Sequence, residues 1–169
     1  MGIAFTIAFA AVKSAYAATG LLYMAIAYIF MQSAVFLLLD ILRKNYNIRT
    51  LDDIKGLAKH NRLLSLFFTV QLFSLAGIPL LTGFMGKAVV FYAGVDAELW
   101  WVVLIALLNS ALSVGYYAWI VKHMYFDEAS ASAETYTNRF PILAQIILLL
   151  GTVYFGIFAS VIFLAGKSL

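Results

Sequence analysis

Between Arg62 and Asp96 the chain runs for 33 residues that carry a single charge, Lys87. One straight membrane crossing takes ~20 residues. As one unbroken α-helix these 33 residues would extend ~50 Å, against a hydrocarbon core of ~30 Å. Tilt absorbs little of that excess. Near the middle stand Leu75-Ala76-Gly77-Ile78-Pro79 and then Thr82-Gly83-Phe84-Met85-Gly86-Lys87. Pro79 removes a backbone donor and clashes with the preceding turn. Gly77, Gly83 and Gly86 loosen the helix further. An ordinary proline kink is the plainer reading, but the length argues for a discontinuous helix over 63–95. Backbone groups freed at membrane depth are tolerated only inside protein or beside water, and half-helix ends there can serve ion sites.

Composition places this run in a polytopic membrane protein. The chain is 64% hydrophobic and 11% charged, whereas soluble domains carry about 25% charged residues. Too few polar residues are present to cover a soluble globule. β-Barrel strands would alternate apolar and polar residues in pieces of ~10, and the runs here are continuous. With no cysteine, disulfides, thiol chemistry and iron–sulfur ligation by this chain are excluded. The net charge of +3 reports loop asymmetry rather than nucleic-acid binding.

The charge-free runs predict an all-α fold in one membrane domain, 1–169. Residues 1–12 make about half a crossing; because Lys13 follows the apolar run rather than preceding it, this is not a signal peptide but the tail of a membrane helix, as if the chain began inside a larger unit. Full helices are expected within 14–39, 99–121 and 140–166, and the discontinuous one at 63–95 brings the total to about four plus the partial one. Pro141 suits the first turn of the last helix. Asp96-Ala97-Glu98 reads as a tight turn, and the Ala/Ser stretch 129–133 as a loop. Asp52 or Asp53 is placed to cap a short surface helix before Arg62. The 40–62 loop holds six Lys/Arg residues, 122–139 holds two and the 96–98 turn none. The two basic loops therefore face the cytoplasm (or matrix or stroma), with the C-terminus opposite and Lys167 a minor dissent.

Lys87 is the sharpest candidate for chemistry. A charged lysine in hydrocarbon costs ~3 kcal/mol on insertion scales and is kept mainly where it faces water or a partner. Because desolvation makes an amine's proton easier to release, such a lysine suits a proton relay. The alternative is snorkelling. Lys87 is nine residues from Asp96, or ~13 Å of helix rise, which strains a lysine stem without forbidding it. Asn109, Ser113 and Tyr116 or Tyr117 share one face of the next helix and are candidates for a hydrated path. Interhelical hydrogen bonding is the plainer role for most of these, and for Tyr23, Tyr28, Gln32 and Ser33. His123 can exchange protons near neutral pH, but a lone interfacial histidine is more often structural. No metal-ligand spacing appears.

The stretch Leu75-Ala76-Gly77-Ile78-Pro79-x-x-Thr82-Gly83-Phe84-x-Gly86-Lys87-x-x-x-Phe91 resembles the broken helix of the antiporter-like subunits of respiratory complex I, the N subunit above all. Asp53-Ile54-Lys55-Gly56-Leu57, Leu108-Asn109-Ser110-Ala111, Tyr116-Tyr117 and Met124-Tyr125 match further pieces of the same pattern, over roughly residues 15–128. The resemblance implies about fourteen helices in two inverted repeats, with Lys87 as the lysine of the second broken helix, passing protons towards the periplasmic side. It implies a proton-translocating, non-redox subunit of an NADH (or related donor):quinone oxidoreductase, in a prokaryotic cytoplasmic, organellar inner or thylakoid membrane. The chain would bind no cofactor, and NADH or a related donor, flavin, iron–sulfur clusters and quinone would belong to the assembly. Partners would be other membrane subunits, including the missing N-terminal half of the fold, and the lipid bilayer. Trp119, where the family often has arginine, and Lys122, an extra charge, depart from the pattern. The absent first repeat implies a subunit encoded in two pieces or a fragment. The equivalent subunit of a multi-subunit cation/proton antiporter, a membrane-bound hydrogenase or an F420-type dehydrogenase is the near alternative. A structural membrane scaffold is the distant one.

Overall fold

The computed structural model describes residue 7, residues 15–128 and residues 140–158. The expectations for Lys13, for the rest of 1–12, for the Ala/Ser stretch and for Lys167 lie outside these residues. Among the described residues the regular elements are helices, with no strand. The elements are α1 (Ala15–Tyr46), α2 (Leu57–His60), α3 (Arg62–Ala76), α4 (Thr82–Asp96), α5 (Trp100–Phe126) and α6 (Phe140–Ile157).

Two helix ends lie beyond the apolar runs. α1 continues past Leu39 to Tyr46, and α5 past Val121 to Phe126. A charge ends the apolar segment without ending the helix. Lys44 Nζ pairs with Asp40 one turn back at 2.9 Å, and Arg43 and Lys44 lie at the negative end of the helix dipole.

Neither Asp52 nor Asp53 caps the short helix. Gly56, in the left-handed region at φ 66°, precedes α2 instead. The Asp53 carboxylate turns back to accept from the backbone N–H groups of Arg49 and Thr50, at 3.0 and 2.8 Å. Those bonds, the Arg49 amide first, hold its carboxyl below the usual carboxylate value. Gly56 N–H donates to the His123 carbonyl at 3.1 Å, so the loop is tied to the end of α5. Asn61 caps α3, its Oδ1 accepting from Leu64 N–H at 3.0 Å.

The two largest apolar cores hold the helices. The larger joins Leu38 and Leu42 of α1, Ile54 and Leu57, Phe67, Phe68 and Leu72 of α3, and Met124 of α5, at the basic-loop end. The smaller joins Ile7, Met24, Val90, Val103 and Ala106. α1 is the central strut, packed against α3, α4 and α6. By length and composition Ala17–Lys44 and Trp100–Phe126 can each cross a membrane, whereas α3 is a shorter apolar helix. α5 turns much apolar surface outward, with Leu108 59%, Leu112 72% and Trp119 48% exposed. Such a surface fits lipid or a partner chain, not water.

Candidate functional site

α3 ends because the chain turns left-handed at Gly77. Its φ is 90° and ψ 42°, a conformation that costs residues with a Cβ about 1–2 kcal/mol. Ile78 N–H reaches back to Phe73 O and Gly77 N–H to Ser74 O, each at 3.0 Å. This 6→1 and 5→2 pairing is a Schellman motif. Pro79 and Leu80 follow in an exposed turn, with Leu80 at φ 75°, and α4 begins at Thr82.

The Schellman motif leaves the carbonyls of Leu75 and Ala76 without a helical donor. Lys87, in the second turn of α4, supplies one. Its Nζ donates to Ala76 O at 2.7 Å, to Leu75 O at 3.0 Å and to Ser110 Oγ on α5 at 2.9 Å. An ammonium has three protons, and here each has an acceptor. The charge also sits at the negative end of the α3 dipole. The lysine therefore joins the end of α3 to α5 from within α4.

Close packing makes that reach possible. Gly83 lies so near α3 that an added Cβ would overlap the Ser74 carbonyl oxygen. Gly86 is buried against Met24 and Tyr23 of α1. Between α1, α4 and α5 lies a cavity of about 220 Å³, room for several waters at ~30 Å³ each. Lys87 lines it together with Asn109, Ser110, Ser113, Tyr116 and Tyr117 of α5 and Tyr28 and Gln32 of α1. The polar stripe read from the sequence of α5 is thus one wall of this cavity. Ser113 Oγ donates to Ser110 O at 2.6 Å, and Gln32 Nε2 to Tyr28 Oη at 2.7 Å. Tyr23 turns away and donates to the Phe155 carbonyl of α6, while Ser33 is exposed.

His123 is not part of this group. It lies seven residues, or ~10 Å of helix rise, beyond Tyr116. Its Nδ1 pairs with the Asp127 carboxylate, and its ring meets Trp119 edge-on with centroids 4.2 Å apart. The imidazole hydrogen bond holds the Asp127 carboxyl below its usual value. Among the described residues no cluster of three histidine, aspartate or glutamate side chains is placed to hold a metal.

A second set of polar residues has no counterpart as a group in the sequence pattern. Gln71, Ser74, Thr82, Gln145 and Thr152 are fully buried, at 0% exposure. Gln71 and Gln145 were findable as isolated amides within charge-free runs. Their grouping was not, because it depends on how α3, α4 and α6 pack.

The fold and this site define a class: an all-helical integral membrane protein with a lysine held in a polar cavity beside a helix terminus. Residues 1–113 match the transmembrane family described as NADH:quinone oxidoreductase/Mrp antiporter, and the chain belongs to that family. It is 44% identical over 98 residues to the F(420)H(2) dehydrogenase subunit N of Methanosarcina mazei, covering 58% of this chain and 20% of that protein. It is 34% identical over 154 residues to the NADH-quinone oxidoreductase subunit N of Bdellovibrio bacteriovorus, covering 90% of this chain and 32% of that one. A chain of the respiratory complex I from Thermus thermophilus with bound aureothin shares the fold with TM-score 0.75 at 22% identity, over 93% of this chain and 35% of that chain. The chain thus spans a fifth to a third of the length of these curated relatives.

Proposed function

We propose that this chain is the C-terminal part of an N-type antiporter-like subunit, and that Lys87 carries protons across the middle of the membrane. The observation that carries the reading is the three-way contact of Lys87 Nζ with Leu75 O, Ala76 O and Ser110 Oγ at the edge of a polar cavity. α3 and α4, at 15 residues each, are individually short of the ~20 needed to cross. In this reading they cross together as one discontinuous helix, with residues 77–81 near mid-membrane.

The chemistry follows from donor counting. Protonated Lys87 fills three acceptors. When it loses a proton to cavity water, it keeps two donors and gains a lone pair. The two carbonyls can only accept and keep the two remaining protons. Ser110, which both accepts and donates, rotates its hydroxyl to face the lone pair. The geometry therefore serves both charge states with one hydroxyl rotation and no backbone movement. Flavin, iron–sulfur and quinone chemistry belongs in this reading to partner subunits, which change hydration or charge near Lys87. The basic loops 40–62 and 122–139 face the side from which protons are taken, and the missing N-terminal half completes the path.

The likeness to the F(420)H(2) dehydrogenase subunit N supports a second reading, in which the assembly's electron donor is other than NADH. The identity of the co-purifying chains separates the two. The relay itself is tested by Lys87→Ala in the membrane complex that holds this chain. Loss of proton transport with assembly retained is expected. Unchanged transport, or loss of assembly alone, would leave Lys87 a structural cap in a scaffold protein.

A further inference from the structure

We propose that Gln71, Thr82 and Thr152 form a water-binding site on the α6 side of the break, separate from the Lys87 cavity. Gln71 is on α3, Thr82 opens α4 and Thr152 is on α6, and all three are at 0% exposure. None lines the cavity around Lys87. The Thr82 hydroxyl donates to the Thr152 carbonyl. The Thr152 hydroxyl stands 2.8 Å from Leu148 O and 3.3 Å from Gln71 Oε1.

That hydroxyl has one proton for two acceptors. The shorter bond, to Leu148 O, is the back-bond that threonine commonly makes in membrane helices. Gln71 Nε2 is buried and has no protein partner among the described residues. Turning the amide over lets its nitrogen donate to the Thr152 oxygen, but the carbonyl oxygen then takes the unpartnered place. Whichever way the amide is turned, one end lacks a protein partner among the described residues. A buried amide in an apolar helix bundle requires one, and water supplies it in either orientation because it both donates and accepts. An ion does not, since a cation is repelled by the amide NH2 and an anion by the carbonyl oxygen.

On the other flank, Ser74 Oγ donates to Met31 Sδ of α1 at 3.0 Å. The same oxygen lies 3.4 Å from Gly83 N, and Gly83 lines the Lys87 cavity. The break is thereby polar on two sides, towards α5 through Lys87 and towards α6 through Gln71. The role of the second side in proton movement rests on the proposed function of Lys87; the water site itself does not.

The test is a high-resolution cryo-electron microscopy map of the assembled membrane complex, with proton transport measured on the same preparations. An ordered water is expected within ~3.2 Å of the Gln71 amide end. It should disappear in Gln71→Met, with a several-fold loss of transport while Lys87 remains in place. A partner-chain atom on the amide, or density with oxygen ligands at ~2.4 Å that mark a metal cation, would overturn the assignment. Should Gln71→Met fail to assemble, Thr152→Val, of matching shape, and the wild-type map decide. If Lys87→Ala abolishes transport while no water lies at Gln71, this inference fails and the proposed function stands. If the water is present and Lys87→Ala transports normally, the reverse holds.

Discussion

Gly83→Ala places a methyl group on the Ser74 carbonyl oxygen, with Met31 Sδ 3.1 Å away on another side. The obstructing oxygen is backbone, and it already accepts from Gly77 N–H at 3.0 Å. To widen that contact from 1.8 Å to an ordinary carbon–oxygen distance of ~3.3 Å, the first turn of α4 must move off α3 by roughly 1.5 Å or more. Lys87 is one turn further along. A shift of about 1 Å takes its 2.7 and 3.0 Å bonds to Ala76 O and Leu75 O beyond 3.5 Å. Overpacking costs ~1–3 kcal/mol and each lost hydrogen bond ~0.5–1.5 kcal/mol. The sum is about 3 kcal/mol or more, a factor of roughly 10² in the folded population. The assay is the assembled fraction of the complex and its thermal midpoint in detergent, with proton transport alongside. Gly115→Ala is the control: nothing lies within 4 Å of its added Cβ, and alanine favours a helix by up to ~1 kcal/mol. Gly83→Ala should lose assembly and transport while Gly115→Ala keeps both. A Gly83→Ala complex with the wild-type midpoint would refute the packing of α3 against α4.

Ser110→Ala removes one of the three acceptors of Lys87 and the hydroxyl that can turn to its lone pair. Transport should slow several-fold with assembly unchanged, and a wild-type rate would show that the hydroxyl has no part. Gly77→Ala forces a Cβ into a φ of 90° and sets it 3.1 Å from Lys87 Cδ and Nζ. A destabilisation of ~1–2 kcal/mol, read as a lower thermal midpoint, should come with reduced transport. For Asp53 the sign follows from its lowered carboxyl. Its bonds to Arg49 and Thr50 stabilise the loop above the ordinary aspartate value of ~3.9 and are lost as pH falls below it through the folded value. Protease cleavage between residues 47 and 56 should therefore rise on acidification in the wild type. In Asp53→Ala the loop should be open at every pH, and an acid step surviving in that variant would assign it elsewhere.

The interruption of helix between Ala76 and Thr82 was legible in the run from Arg62 to Asp96. Its 33 intervening residues exceed one crossing, and Gly77 and Pro79 mark where helix cannot continue. The α5 stripe was legible for a similar reason, since Asn109, Ser113 and Tyr116 follow the helical period. Three things were not. The ends of α1 and α5 lie beyond the apolar runs, because charge at Asp40 and Lys122 marks where apolar surface stops and not where hydrogen bonding stops. The cap of the short helix was not, because Asp53 can bond backward to Arg49 and Thr50 as readily as forward to a helix, and the composition of the loop does not decide between the two. The Gln71, Thr82 and Thr152 group was invisible, because its members come from three helices 11 and 70 residues apart in sequence.

The central claim is that Lys87 gives up and regains a proton, beyond supplying a charge at the end of α3. Lys87→Arg separates the two, since a guanidinium keeps the positive charge and the donors but does not deprotonate in proteins. The measurement is proton transport per electron transferred by the assembled complex in sealed vesicles. The account predicts that Lys87→Arg assembles, keeps α3 capped and loses proton transport as fully as Lys87→Ala. Transport retained by the arginine variant would make Lys87 a fixed cap and contradict the relay.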